Sequence, residues 1–67
     1  MVRYRKSIRS GVVRIPEEVR EAFGDEIELL PNFRAMAVYP VGANKKVVIK
    51  SLQLIVQDLR NELAEEG

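Results

Sequence analysis

Residues 10–24 read Ser10-Gly11-Val12-Val13-Arg14-Ile15-Pro16-Glu17-Glu18-Val19-Arg20-Glu21-Ala22-Phe23-Gly24, and no other segment says as much about topology. Ser10-Gly11 is a turn or bulge signal, and Val12 to Ile15 reads as a short strand. Pro16 suits the first position of a helix, where its missing N–H costs nothing. Glu17 and Glu18 complement the positive end of the helix dipole. Val19, Ala22 and Phe23 share one face at i, i+3 and i+4, and Gly24 supplies a positive-φ stop. The segment therefore predicts strand, two-turn helix and stop. A helix this short has to be held by its surroundings.

Upstream, Val2-Arg3-Tyr4-Arg5 alternates apolar and basic residues, and the pattern runs on through Ser7, Ile8 and Arg9. Period-two alternation predicts a first strand with an arginine-bearing face. Lys6 interrupts its apolar face, which makes it an edge or an irregular strand. Charge is distributed very unevenly about this segment. Residues 1–14 carry Arg3, Arg5, Lys6, Arg9 and Arg14 with no acid, whereas residues 15–67 carry six bases and ten acids, so a net charge of +1 conceals an arm of +5 and a body of −4. A cationic arm on a mildly acidic body points to a polyanionic partner, although like-charge runs also occur as plain solvated faces.

Downstream, Asp25 to Leu30 predicts a third strand and Ala35 to Tyr39 a fourth, paired as a hairpin through a loop near residues 31–34. Pro40 ends the fourth strand, and Val41-Gly42-Ala43-Asn44 is a loop. From Lys45 to about Glu65 the period becomes helical. Ile49, Leu52, Val56, Leu59 and Leu63 are spaced 3, 4, 3, 4, a heptad seam that Val48 and Ile55 widen into a stripe able to meet more than one neighbour. Lys45, Lys46 and Lys50 lie near its start and Glu62, Glu65 and Glu66 near its end, the reverse of what the helix dipole favours. Packing, within or between chains, has to stabilise it.

A chain of 67 residues holds one domain and buries too little surface to be comfortably stable alone. Cysteine and histidine are both absent, which removes disulfides and the usual metal ligands and leaves oligomerisation as the expected reinforcement. There is no run of about 18 apolar residues and no signal-peptide pattern, so a cytoplasmic protein without membrane partners is expected. Neither a phosphate-binding glycine loop nor a serine with an evident base is present. Glu17, Glu18 and Glu21 read as helix-start and surface charge. No enzymatic activity, cofactor or metal is expected.

Together the basic strand, Gly11, Val-Val-Arg-Ile-Pro at 12–16, Glu18-Val19-Arg20 and Phe23-Gly24 resemble the AbrB/SpoVT family of swapped-hairpin, MazE-like DNA-binding domains. The likeness spans roughly residues 3–40. It implies a mostly β, α+β fold: an intertwined homodimer in which hairpins of two chains interleave into one barrel-like body, here residues 1–43, with residues 44–67 added as an amphipathic helix of the same unit. The resemblance also implies that Arg5 and Arg20 lie on the DNA-contacting side. Three positions depart from the family pattern: Val12 stands where a polar or basic residue is frequent, Glu21 where some members are basic, and no linker separates Gly24 from Asp25.

The expected partner is double-stranded DNA, bound through Arg3, Arg5, Arg9 and Arg14 with Lys6 and Arg20 in support, because arginine's planar fork pairs phosphate oxygens or guanine edges. Val13, Ile15, Ile27 and Leu29, with Ile49, Leu52, Val56, Leu59 and Leu63, are the expected dimerisation residues. The function this implies is a sequence-specific transcriptional regulator. Two alternatives use the same residues: an antitoxin whose C-terminal segment occupies a toxin, and a nonspecific nucleoid-type DNA binder. A ribbon-helix-helix regulator also has a basic strand, but it needs two consecutive helices, which Gly24, Pro31 and Pro40 oppose.

Overall fold

The structure, a computed structural model, describes residues 2–67 and contains four elements: α1 (Glu17–Phe23), β1 (Ile27–Pro31), β2 (Met36–Pro40) and α2 (Lys45–Glu66). This is a small α+β arrangement of two antiparallel strands and two helices. Helix, at 7 and 22 residues, outweighs strand, at 5 and 5, so the expected predominance of β structure is not found. The difference lies in the arm. Neither the first strand nor the strand at Val12–Ile15 forms, and residues 2–15 contain no helix or strand. The physical reason is pairing: among the described residues the arm makes one internal backbone–backbone hydrogen bond, Gly11 N–H to the Ile8 carbonyl at 2.8 Å. That bond closes a turn at Arg9-Ser10, with Gly11 at φ 80°. A strand exists only with a neighbour to complete its ladder, and this chain supplies none for the arm.

α1 begins one residue later than expected. Pro16, at φ −56° and ψ 144°, is the capping residue rather than the first helical one. Gly24 ends the helix at φ 84°, its N–H donating to the Arg20 carbonyl at 2.9 Å. A side chain at that φ would be strained. The hairpin forms as expected but shifted towards its prolines, with Ile27 opposite Pro40, Leu29 opposite Val38 and Pro31 opposite Met36. Both prolines sit at strand ends, where a lost N–H costs no central ladder bond. Asn32 closes the loop, its N–H donating to the Ala35 carbonyl at 2.8 Å and its side chain accepting from Phe33 N–H at 2.6 Å. Asn44 caps α2, its Oδ1 accepting from Lys46 N–H at 2.8 Å and Val47 N–H at 3.4 Å. That cap offsets the poor charge pattern of a first turn with no acid.

No described residue is buried, and Val19, Phe23, Val38, Val48 and Leu52 are only half-buried. The accessible surface is 6590 Å². A compact monomer of 7.6 kDa would expose about 4,300 Å². The radius of gyration, 13.4 Å, likewise exceeds the roughly 11 Å of a compact chain of this length. The surplus is about 2,300 Å², and exposed apolar side chains line grooves in two places. One is an open groove of about 420 Å³ between the arm and the sheet, lined by Ile8, Val13, Ile15, Ile27, Leu29, Met36 and Val38. The other runs along α2.

Candidate nucleic-acid interface

The arm's basic residues Arg3, Arg5, Lys6, Arg9 and Arg14 are all exposed. Among the described residues Arg3 alone is engaged: its guanidinium meets the Glu62 carboxylate near the end of α2 at 2.5 Å. The hydrogen bond to Glu62, and then its charge, holds the Arg3 guanidinium above its ordinary value. Arg5, Lys6, Arg9 and Arg14 make no ion pair among the described residues. Exposed and uncompensated, they carry the arm's positive field outward, where phosphate is attracted most strongly at low salt.

Two side-chain contacts place the arm. Besides Arg3, Tyr4 donates its hydroxyl to Glu18 in the first turn of α1 at 2.6 Å. This bond lowers the Glu18 carboxyl and raises the Tyr4 hydroxyl relative to their ordinary values. The arm is thus tied at neighbouring residues to both helices. Ser7 trims the turn that follows, its hydroxyl accepting from Arg9 N–H at 3.3 Å.

Arg20 is exposed on α1, beside a cleft lined by Ile15, Val19, Phe23, Ile27 and Val38. Arg20 itself contributes to the lining of that cleft. Arg34 sits in the exposed hairpin loop next to Phe33, which is 92 % exposed.

Of the expected dimerisation residues, Val13, Ile15, Ile27 and Leu29 are brought together around the arm–sheet groove, on the sheet face that alternation assigns to Ile27 and Leu29. Ile49, Leu52 and Val56 line a second groove along α2, with Gln53, Gln57 and Arg60. Leu59 lies beside the arm with Val2, Tyr4 and Ile55, and Leu63 is exposed.

The roles of Tyr4, Glu18 and Glu62 were not legible from pattern. Glu18 and Glu62 read only as helix-end charges, and Tyr4 only as an apolar position of the alternation. Among the described residues no group of three or more acids is placed to hold a metal ion, and no helix is long and apolar enough to cross a membrane. Comparison with family models, curated proteins and solved structures finds no match to this chain.

Proposed function

We propose that this chain is a homodimeric DNA-binding transcriptional regulator of the swapped-hairpin, AbrB/SpoVT-like kind, whose arms carry the positive surface that meets phosphates. The observation that carries the reading is the state of residues 2–15. They hold four exposed bases without ion pairs, on backbone that has a strand's alternation but no ladder partner. A second copy's hairpin supplies the missing neighbour, and its apolar side chains fill the groove lined by Val13, Ile15, Ile27 and Leu29. Two copies together would cover about 4,600 Å², within the range of obligate homodimers.

In such a dimer the two arms double the charge presented. If about six phosphates are neutralised, log affinity falls against log salt with a slope of roughly −5. Contacts to phosphate alone fix orientation, and arginines at base edges confer specificity. The test is a gel shift at two salt concentrations comparing the protein's own upstream region with random DNA. Tighter binding upstream supports a regulator; equal affinity replaces it with a nonspecific architectural binder, and affinity unchanged by salt overturns DNA binding through the arm.

A further inference from the structure

α2 presents apolar residues to two sides. Val48 and Leu52 are half-buried and, with Ile55, line the groove towards α1 and β2. The adjoining strip does not face that groove: Ile49, Val56 and Leu63, seven residues apart, are 55, 45 and 66 % exposed. Leu52, which lines both grooves, and Leu59, which lies beside the arm, complete it as a heptad seam, and the helix carrying it, 22 residues, is about 33 Å long. An apolar strip of this length in water is unstable as it stands.

Charge along α2 selects what covers it. Lys45, Lys46 and Lys50 occupy the first two turns without an acid, and Glu62, Glu65 and Glu66 follow Arg60 in the last two, the final turn having no base. A parallel copy would set lysines beside lysines and glutamates beside glutamates. An antiparallel copy sets each end on its opposite and also opposes the two helix dipoles favourably. We infer that the Ile49–Val56–Leu63 strip is covered by α2 of a second copy of this chain, running antiparallel. This rests on the homodimeric part of the proposed function and not on DNA binding. The surplus surface of about 2,300 Å² per chain is what an obligate pair of this size has to cover.

The chain has no cysteine, so single cysteines report orientation cleanly. Ile49→Cys and Leu63→Cys chains with different tags are co-expressed and treated with a short bis-maleimide. The expected product joins an I49C chain to an L63C chain, while I49C alone does not join to itself, because two such sites would lie about 21 Å apart, fourteen residues at about 1.5 Å each. Self-joining of I49C, joining to a different protein, or no joining in a preparation that circular dichroism shows to be helical overturns the inference. As a second measurement, K45E/K46E and E65K/E66K chains should each dimerise about tenfold more weakly alone and recover when mixed. No recovery overturns it as well. A gel shift on the cross-linked species separates the two readings: lost DNA binding with the cross-link intact counts against the arm, and DNA binding without the cross-link counts against the helix pair.

Discussion

The Tyr4 hydroxyl lies 2.6 Å from the Glu18 carboxylate, fastening the basic arm to the first turn of α1. One residue earlier, Arg3 is fastened to Glu62 of α2. The two contacts together make the start of the arm a bridge between helices that are far apart in sequence.

Arm attachment should depend on pH. The Glu18 carboxyl is lowered, chiefly by the Tyr4 hydrogen bond, so its contribution is complete above the ordinary glutamate range and fades as pH falls through its lowered value. The Tyr4 hydroxyl is raised by the same bond, so its contribution holds below the ordinary tyrosine range and fades as pH rises through the raised value. Tryptic cleavage after Arg5, taken relative to that of an unstructured reference peptide at the same pH, should accordingly be slowest near neutral pH. Tyr4→Phe should raise that rate severalfold at pH 7; an unchanged rate would show the contact to be idle.

Glu62 competes with phosphate for Arg3. Glu62→Gln should free one more cation per arm and steepen the salt slope of DNA binding by about 1.8, two contacts at about 0.9 each. Arg3→Ala should cost less affinity than Arg5→Ala or Arg9→Ala in the unaltered protein, because only Arg3 starts out paired. Salt titrations of the four variants measure both effects. Thermal transitions should stay in place for Arg5→Ala and Arg9→Ala, since neither side chain makes a hydrogen bond or ion pair among the described residues; a lowered transition would make those arginines structural.

Leu29 distinguishes a lone chain from an assembled one. At 56 % exposure its truncation would cost an isolated chain little. In a dimer whose groove is filled, Leu29→Ala should cost about 2–5 kcal/mol, the usual range for a buried leucine. Urea unfolding at two protein concentrations gives the answer, and a dimer's midpoint should rise with concentration.

Asn44 is the helix cap whose loss ought to be visible alone. Replacing it with alanine should cost about 1 kcal/mol, because two N–H groups of the first turn lose their acceptor and no acid stands in for it. The helical circular dichroism signal should melt at a lower temperature than in the parent chain. No shift would mean that packing along α2 outweighs its start.

Much of the fold was legible locally. Pro16 and Gly24 bracket α1 through their own φ preferences, Pro31 and Pro40 stop the strands, and the Ile49 to Leu63 period describes α2, whereas Asn44 read only as loop and its capping role came from the structure. The hairpin's existence followed from alternation, but its strand bounds moved by one or two residues, and loop closure by Asn32 and Ala35 sets which residues stand opposite. The arm shows where local reading stops. Its alternation from Val2 to Arg9 is that of a strand, yet alternation specifies only which face each side chain takes. Forming the strand also needs a partner's donors and acceptors at ladder spacing.

By itself, then, the sequence determined the local conformations, the placing of five positive charges ahead of an acidic body, and the heptad stripe, all of which depend on residues close in the chain. The packing of distant elements settles that Arg3 is held by Glu62 while Arg5, Lys6, Arg9 and Arg14 are not, and that Tyr4 meets Glu18. It also decides that the apolar faces of the arm, sheet and α2 remain uncovered within one chain. These are relations between residues up to 59 positions apart, set by how the elements lie in space, and no local preference encodes them.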